Sequence, residues 1–239
     1  MRNIWIIARR ELRGYFDSPI AYIVIVSFLA TAGWMFFSSL FLIGRADMRT
    51  FFQPSPFSPA MELLLLAPAI TMRLVAEERK TGTIELLTTM PITDASVILG
   101  KFLGAFLLIA VALGLTLVYP ISVAFIGPLD WGPVISGYLG MLLFAALLLS
   151  IGLLCSTFTK NQIVAFIISL LVCTVLYYIY WLQFFMPDVL APIVEYVSIS
   201  FHLDNLARGV IDSRDVIYYL TFTAAALFLS VRSLAQQHA

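Results

Sequence analysis

The chain has 239 residues, of which 61% are hydrophobic and only 12% are charged. Soluble domains contain about 45–50% apolar and about 25% charged residues, so this composition excludes an ordinary water-soluble domain and predicts a membrane protein. Fourteen basic and fourteen acidic side chains balance each other, which excludes the strongly positive field expected of a nucleic-acid-binding protein.

The first nineteen residues predict an amphipathic helix at the cytoplasmic face of the membrane. At about 100° per residue, apolar side chains between Ile4 and Phe16, including Ala8 and Tyr15, fall on one side and arginines on the other. We expect the apolar side to lie in lipid and the arginines to face water and phosphate groups. A basic flank that only orients the first span is the alternative. The interface is assigned to Trp5, which is placed on the apolar side, and to Arg9, Arg10 and Arg13.

Six apolar runs are long enough to cross about 30 Å of hydrocarbon, which takes about 20 helical residues. The second run contains Pro68, which neighbouring helices can accommodate, and it has Arg73 near its end. The predicted fold class is an all-α integral membrane protein with a single transmembrane domain over 1–239. The spans are predicted at about 20–43, 59–76, 98–126, 133–155, 163–182 and 216–231.

The basic residues of the connections predict the orientation of the spans. Ten of them lie on the side that holds both termini, including Lys101, and four lie on the other side. Both termini are therefore expected in the cytoplasm, and acidic residues such as Glu62 are assigned to the outer side. In the outer loop 183–215 we expect short helices broken at Pro187 and Pro192 that fold back against the outer leaflet.

The chain carries no motif that would bind a nucleotide or perform catalysis. It lacks the G-x-x-x-x-G-K-[ST] phosphate loop, H-E-x-x-H and G-x-S-x-G, and no catalytic residue or metal ligand is assigned. His202, near Asp204, is interpreted as a packing histidine, and Cys155 and Cys173 lie inside spans, where a disulfide has no support. Apart from Arg73, no span has a Lys, Arg, Asp, Glu or His in its central part, so the chain lacks an obvious site for coupling transport to protons or ions and any transport must draw its free energy from elsewhere.

The segment from Glu77 to Pro91, EERKTGTIELLTTMP, is a compact polar interruption between two apolar runs. Thr81 or Thr83 is a candidate helix cap, and Pro91 is expected to end a short helix over about 81–90. The apolar side chains of such a helix suit docking into a groove of another protein, whereas a loop on lipid headgroups is the alternative. The docking surface is assigned to Glu77, Glu78, Thr81, Gly82, Thr83, Ile84, Glu85, Leu86 and Leu87.

Small and polar side chains inside the spans are candidates for two roles, which are close helix packing and the lining of a substrate path. Gly100 and Gly104 form a G-x-x-x-G at the start of the third span, and whether this face meets a helix of the same chain or of a partner stays open. Polar and aromatic side chains on the first and fifth spans are candidates for lining a substrate path, or else form interface belts and hydrogen bonds within the bundle. The path candidates are Thr31, Ser38, Tyr177 and Tyr178.

Two stretches resemble a known family. The run from Glu77 to Ile92, followed by VILGKFLGAFLL, resembles the E-E-(x)3-G-T-x-E-x-L-L-T-x-P-[IV] signature of ABC-2-type permeases, the membrane subunits of ATP-binding cassette (ABC) transporters. The stretch from Tyr196 to Leu220, YVSISFHLDNLARGVIDSRDVIYYL, is similar to the gliding-motility-type subgroup of that family. The resemblance covers nearly the whole chain.

The resemblance implies a permease subunit of an exporter that has no enzymatic activity and no cofactor of its own. Two cytoplasmic ATPase subunits would hold the ATP and Mg²⁺, and a second permease chain, identical or different, would complete the transporter. An extracytoplasmic auxiliary protein and membrane lipids are further expected partners, and nucleic acid is not. An ATP-driven scaffold or anchor for an extracytoplasmic complex, without movement of a solute, is the alternative.

The resemblance also assigns roles to segments. The segment matching Thr81 to Thr89 is the family's coupling helix, which sits in a cleft of the ATPase, and the N-terminal helix and the loop from Cys155 to Gln162 also contact it. The architecture would be that of a type V ABC exporter, with re-entrant outer helices before the last span. The expected location is the bacterial cytoplasmic (inner) membrane, with both termini in the cytoplasm.

Overall fold

A computed structural model describes residues 2–43, 47–55, 58–82, 93–185, 187 and 191–236, and these ranges contain helices and no β-strand. The N-terminal half contains α1 (Arg2–Asp17), α2 (Pro19–Ile43), α3 (Arg49–Phe52), α4 (Pro59–Thr71), α5 (Ala76–Thr81), α6 (Asp94–Leu115) and α7 (Val118–Ile126). The C-terminal half contains α8 (Trp131–Phe158), α9 (Gln162–Tyr178), a 3₁₀ helix (Ile179–Phe185), α10 (Ala191–Val197), α11 (Ile199–Ala207) and α12 (Ser213–Ala235).

Six helical segments are long and apolar enough to cross a membrane, which confirms the six-span prediction. Two of them are composite, because α4 continues into α5 and α6 continues into α7. The segments cover Pro19–Leu42, Pro59–Thr81, Asp94–Phe125, Trp131–Phe158, Gln162–Gln183 and Ser213–Ala235.

Helix α8 forms the centre of the bundle and packs against α4, α6, α9, α11 and α12. Its small residues allow this close packing. A Cβ added to Gly152 would lie 2.0 Å from the Thr71 side-chain oxygen of α4, so only glycine permits this approach. Large side chains such as Phe144 and Leu148 fill the core on the other faces of α8, where they are fully buried.

The two ends of the bundle hold different parts of the chain. The end that holds α1 and the last turn of α12 is called the terminal end, and there Thr157 of α8 donates a hydrogen bond to Ser233 of α12. The opposite end is called the distal end. It brings Arg49 of α3 within 3.3 Å of Asp130, just before α8.

The segment before the second span folds back into the distal half of the bundle. Helix α3 buries Phe51 and Phe52, and α4 then begins at the level of the middle of α2, where Thr31 hydrogen-bonds Glu62. The assignment of Glu62 to the outer side is therefore wrong. Helix α4 starts deep in the bundle because α3, which precedes it in the chain, occupies the distal half of the bundle.

The region before the last span contains the 3₁₀ helix, α10 and α11, and α11 packs its buried face against α8. The predicted break at Pro192 is wrong, because Pro192 is the second residue of α10. A proline in the first helical turn removes an N–H group that has no partner inside the helix, so it does not interrupt the helix.

His202 of α11 does not pair with its sequence neighbour Asp204. Its Nδ1 lies 2.6 Å from Asp215 of α12, its Nε2 lies 2.9 Å from the carbonyl oxygen of Tyr196, and Tyr218 stacks on its ring. Asp204 instead pairs with Arg208 one turn later. The histidine thus joins α10, α11 and the start of α12.

Candidate coupling site

Helix α5 carries the first part of the predicted docking surface at the terminal end of the bundle. Glu77 and Glu78 lie in its first turn, and Thr81 is its last residue, with the hydroxyl donating to the carbonyl oxygen of Glu77 at 3.0 Å. Gly82 ends the helix in the left-handed conformation with φ of 73°, which favours glycine. Of the two predicted cap candidates, Thr81 is therefore at the end of a helix and not at its start, and Thr83 lies outside the described residues.

The remaining docking residues lie outside the part of the chain that the structure describes. These are Thr83, Ile84, Glu85, Leu86 and Leu87, and the predicted helix over 81–90 falls there apart from its first two residues.

A serine of the central helix holds the turn between α4 and α5. The hydroxyl oxygen of Ser156 accepts hydrogen bonds from the N–H groups of Val75 at 3.2 Å and Ala76 at 3.0 Å, and its hydrogen points to the carbonyl oxygen of Met72 at 3.2 Å. The serine is fully buried. This one side chain therefore replaces backbone hydrogen bonds that the helix loses at the turn.

Replacing Ser156 with Ala is expected to destabilise the protein by about 1–3 kcal/mol, because two buried N–H groups lose their acceptor. Thermal unfolding of the purified protein in detergent measures this. Ser150→Ala is the matched control, since Ser150 is equally buried on α8 but bonds only the carbonyl oxygen of Leu147 in its own helix. Equal losses in the two variants would contradict a special role for Ser156.

A second contact fastens α5 to two spans at once. The Arg79 guanidinium donates to the carbonyl oxygen of Thr157 at 2.5 Å, and the Thr157 hydroxyl donates to Ser233 at 3.1 Å. Because Thr157 belongs to α8 and Ser233 to α12, these hydrogen bonds connect α5 to the ends of both spans.

The most unusual group at this end is the ammonium group of Lys101, which is buried in the first turns of α6. Lys101 is only 1% exposed, and its Nζ lies 2.7 Å from Glu78 of α5 and 3.1 Å from Glu11 of α1. Arg10 of α1 lies 3.2 Å from the Glu11 carboxylate and 3.8 Å from that of Glu78. We call these four side chains the charge cluster.

The charge cluster is balanced, since two cations face two carboxylates. A buried charge loses several kcal/mol of hydration, which only close and complementary partners recover. Lys101 is one of the ten basic residues that the sequence assigns to the cytoplasmic side, where a charged side chain is expected to face water. The one sequence signal of burial is that Lys101 follows Gly100. A helix that approaches closely at a glycine leaves little room for water.

The two glycines of the third span meet a helix of the same chain. A Cβ added to Gly100 would lie 2.7 Å from the Ile7 side chain, and one added to Gly104 would lie 2.8 Å from Cβ of Glu11 and 3.2 Å from the carbonyl oxygen of Ala8. The G-x-x-x-G therefore forms the groove that receives α1. This packing also positions Glu11 beside Lys101.

The predicted orientation of α1 is partly wrong. Ala8 and Tyr15, expected in lipid, are buried in the protein together with Ile7, because the glycine groove of α6 receives Ile7 and Ala8, and Tyr15 packs against the end of α4. Trp5 was placed opposite the arginines, but Trp5, Arg9 and Arg13 are spaced by four residues and share one face. With Ile6 and Arg10 they line an exposed groove of about 360 Å³ on the outside of α1.

Tyr15 connects α1 to the end of α4. Its hydroxyl donates to the carbonyl oxygen of Ile70 at 3.4 Å, and the Arg73 guanidinium lies 5.2 Å from the centre of its ring. Burial raises the pKa of the Tyr15 phenol above its ordinary value, and the nearby Glu11 carboxylate adds to this effect. Tyr15 therefore stays neutral and acts as a packing and hydrogen-bonding group.

The four path candidates lie on α2 and α9, where their side chains contact different parts of the described bundle. Ser38 lines a cavity at the distal end of α2, and its hydroxyl donates to the carbonyl oxygen of Trp34 in the same helix. Tyr177 is buried in the core against Phe144, and the Tyr178 hydroxyl donates to the sulfur of Met61 at 3.5 Å. Thr31 bonds Glu62. Their role in a path stays a prediction.

The sequence matches the model of a known protein family. The model of the family described as ABC-2 family transporter protein matches residues 55–229, about three quarters of the chain. The matched region includes Glu78 and Lys101 but not α1. A search of curated proteins finds no match. The chain therefore belongs to the ABC-2 transporter family, and it is a multi-pass membrane permease component of the kind that associates with an ATP-binding subunit.

Proposed function

We propose that this chain is the permease subunit of an ABC exporter, closest to the gliding-motility-type subgroup, and that α5 with residues 83–90 contacts the ATP-binding subunit. The charge cluster carries the proposal. It joins Glu78, within the family signature, to Lys101 of the third span and Glu11 of the N-terminal helix. ATP and Mg²⁺ would bind to two partner subunits, and a second permease chain would complete the transporter.

The contacts of α5 support a mechanical role. Glu78 links α5 to α6 and α1, Ser156 links it to α8, and Arg79 links it through Thr157 to α12. Packed side chains and buried hydrogen bonds transmit displacement because protein interiors are nearly incompressible. A push on residues 83–90 would therefore reach the third, fourth and sixth spans together.

The charge distribution supports the orientation. The terminal end carries the arginines of α1, the basic pair of α5 and Arg232, which predicts a cytoplasmic position for this end and for both termini. The inner membrane of a bacterium is the proposed location. The exposed groove with Trp5, Arg9 and Arg13 suits lipid phosphate groups at the cytoplasmic surface.

Leu86→Asp or Glu85→Arg is expected to reduce the amount of ATP-binding subunit that co-purifies with the permease at least tenfold. The reason is that a charge enters the proposed apolar contact in one case, and in the other a charge is reversed in the first turn of the helix that the sequence predicts. Both variants should insert into the membrane normally.

Val210→Asp is the control for Leu86→Asp, because Val210 is exposed at the distal end. It should retain the ATP-binding subunit. Full retention of that subunit by both coupling variants would refute the docking role.

Reconstitution separates an exporter from an ATP-driven scaffold. Liposomes that contain the permease and its ATP-binding subunit should show ATP hydrolysis that rises with added substrate, together with movement of that substrate. Hydrolysis with no flux of any tested solute, together with ATP-dependent binding of an extracytoplasmic protein, would support the scaffold instead.

A further inference from the structure

His202 is a buried titratable side chain at the distal end of the bundle that the coupling site does not use. It belongs to α11, is 2% exposed and contacts both α10 and α12. Its Nδ1 atom lies 2.6 Å from Oδ1 of Asp215, and its Nε2 atom lies 2.9 Å from the carbonyl oxygen of Tyr196. Both nitrogens of the ring are therefore within hydrogen-bonding distance of an oxygen atom.

These two contacts indicate how many hydrogens the pair of His202 and Asp215 holds. A neutral imidazole has one N–H donor and one nitrogen that only accepts, whereas an imidazolium donates from both nitrogens. The carbonyl oxygen of Tyr196 can only accept, and so can an ionised Asp215. Both contacts are therefore satisfied only when the pair holds one proton more than a neutral imidazole and a carboxylate hold together. This conclusion is the same wherever the proton sits within the pair.

The burial of Asp215 supports the same protonation state. Asp215 is 3% exposed, its Oδ2 atom has no hydrogen-bond partner among the described residues, and Asn205 donates to Oδ1 at the long distance of 3.4 Å. A buried carboxylate is costly unless a cation balances it. Asp215 also lies in the first turn of α12, where the helix N-terminus favours a negative charge, so the proton belongs on the imidazole ring.

No other charged side chain contacts the pair in the part of the chain that the structure describes. Asp204 of α11 pairs with Arg208, and Arg49 of α3 pairs with Asp130. Arg214 of α12 is exposed, and α8 and α9, which also pack against α11, have no charged residue. The imidazolium is therefore the cation that balances the buried carboxylate.

Three tyrosines surround the imidazole ring. Tyr218 stacks on it with the ring centroids 3.9 Å apart, and Tyr196 and Tyr219 meet it edge to face. The hydroxyl groups of Tyr218 and Tyr219 each donate to a backbone carbonyl oxygen at 2.7 Å, so their hydrogens are committed elsewhere. An aromatic face attracts a cation that stacks on it, which again favours the imidazolium.

Helix α10, which carries Tyr196, lies on the surface of the bundle, and none of its residues is buried. Two hydrogen bonds attach its last turn, one from His202 to the carbonyl oxygen of Tyr196 and one from Tyr218 to that of Val197 at 2.7 Å. Glu195 of the same turn lines a distal cavity of about 450 Å³, together with residues of the 3₁₀ helix and α11. The position of α10 therefore shapes this cavity.

We propose that His202 and Asp215 form a proton-binding site that holds α10 against the bundle. When the pair loses its proton, the Nε2–H bond breaks and the proton passes to water. The remaining hydrogen stays on Nδ1, because a carboxylate is a stronger acceptor than a carbonyl group. Nε2 and the carbonyl oxygen of Tyr196 then both lack a hydrogen, so this contact opens and α10 is released.

The direction of the pH effect follows from which form is closed. The protonated pair holds α10, so α10 is held at low pH and released as the pH rises through the titration of the pair. Release removes Glu195 from the wall of the distal cavity. The site would respond to the pH outside the cell, and in that respect it rests on the proposed orientation.

Two measurements on the full chain in detergent micelles test the proposal. Nitrogen-15 NMR of histidine-labelled protein counts the hydrogens on the ring of His202, after His238, the only other histidine, is replaced by Asn. A nitroxide attached to Ile193→Cys, an exposed position of α10, reports the mobility of that helix by electron paramagnetic resonance. The two native cysteines are buried, so the label goes to position 193. Both series run from about pH 5.5 to about pH 9, below the range in which tyrosine and lysine titrate.

We expect both nitrogens of the His202 ring to carry a hydrogen at the acidic end of the series and one of them to lose it as the pH rises. Over the same interval, the ratio of mobile to immobile label at position 193 should rise by up to about tenfold per pH unit, as the loss of one proton requires. A label at Val210→Cys, which is exposed between α11 and α12, should show no such change.

Asp215→Asn separates the proton from the attachment of α10. The amide can donate to Nδ1 while Nε2–H donates to Tyr196, so a neutral ring satisfies both contacts and α10 should stay immobile over the whole series. Asp204→Asn is the matched control on α11, because Asp204 pairs with Arg208 and does not contact the ring. It should keep the pH response of the unmutated pair.

A ring that carries one hydrogen at every pH, or one that keeps both throughout the series, would overturn the proposal. Loss of the ring hydrogen while the label at position 193 stays immobile would overturn it as well, and so would an unchanged pH response in a folded Asp215→Asn protein. If Asp215→Asn does not fold, the two pH series on the unmutated pair decide alone. The ATP-binding subunit is absent from this experiment, so its result does not depend on the docking proposal.

Discussion

Replacing Lys101 with Met is expected to destabilise the protein by about 3–5 kcal/mol, because two carboxylates at the terminal end lose the cation that balances them. Nζ of Lys101 is the nearest cationic atom to Glu78, at 2.7 Å, whereas Arg10 lies at 3.8 Å with its side chain 58% exposed. We also expect ATP hydrolysis to lose its dependence on the permease, since α5 is released from the third span. Thermal unfolding in detergent and hydrolysis in liposomes measure the two effects.

Arg10→Ala is the control for this prediction. Arg10 belongs to the same cluster, but water screens its exposed guanidinium, and its loss should cost less than about 1 kcal/mol. A Lys101→Met protein as stable as Arg10→Ala would show that the buried ion pairs contribute little. Normal coupling in a stable Lys101→Met protein would contradict the transmission role.

Replacing Gly104 with Leu is expected to detach α1 from the third span. Even a Cβ at this position would lie 2.8 Å from Glu11 and 3.2 Å from the backbone of Ala8, and backbone cannot rotate away as a side chain does. Overpacking of this kind costs about 1–3 kcal/mol or more. It should also separate Glu11 from Lys101, so the variant should lose coupling as Lys101→Met does. Protease cleavage within α1 measures the detachment.

Gly114→Leu provides the matched control on the same helix. No atom lies within 4 Å of a Cβ added there, so the larger side chain should be tolerated and α1 should stay protected. Equal protection of α1 in both variants would show that the G-x-x-x-G does not hold the N-terminal helix.

Six apolar runs were enough to predict the six spans, because the length of a spanning helix follows from the thickness of the hydrocarbon layer. The family signature likewise identified the ABC-2 family, which the match over residues 55–229 confirms. Membership of the gliding-motility-type subgroup stays a proposal. These predictions depend on composition and local pattern alone.

The charge cluster and the depth of Glu62 were not predictable in this way. Glu11, Glu78 and Lys101 come from three separate segments, and their meeting depends on the close approach of α1 to Gly100 and Gly104. Charged side chains near the ends of spans are normally expected to face water, and the sequence predicts the same for Lys101. The sequence predicts Glu62 on the outer side of the membrane, because hydropathy locates the apolar run. It does not show the depth at which the preceding segment folds back into the bundle.

The exposed face of α1 shows a similar limit. A helical wheel places Trp5 with the apolar residues, yet its four-residue spacing to Arg9 and Arg13 puts it on the outer face once Ile7 and Ala8 enter the groove of α6. Amphipathicity indicates that a helix has two faces. Packing against the rest of the protein decides whether a residue at the border between the two faces belongs to the buried face or to the exposed face.

The central claim is that the segment after Gly82 touches the ATP-binding subunit, and site-specific photo-crosslinking tests it most directly. Benzoylphenylalanine is placed at Leu86 and, as the matched position, at Ile193, which is exposed at the distal end. We predict a covalent product of permease and ATP-binding subunit from position 86 and none from position 193. Failure of position 86 to give that product while the ATP-binding subunit still co-purifies would contradict the account.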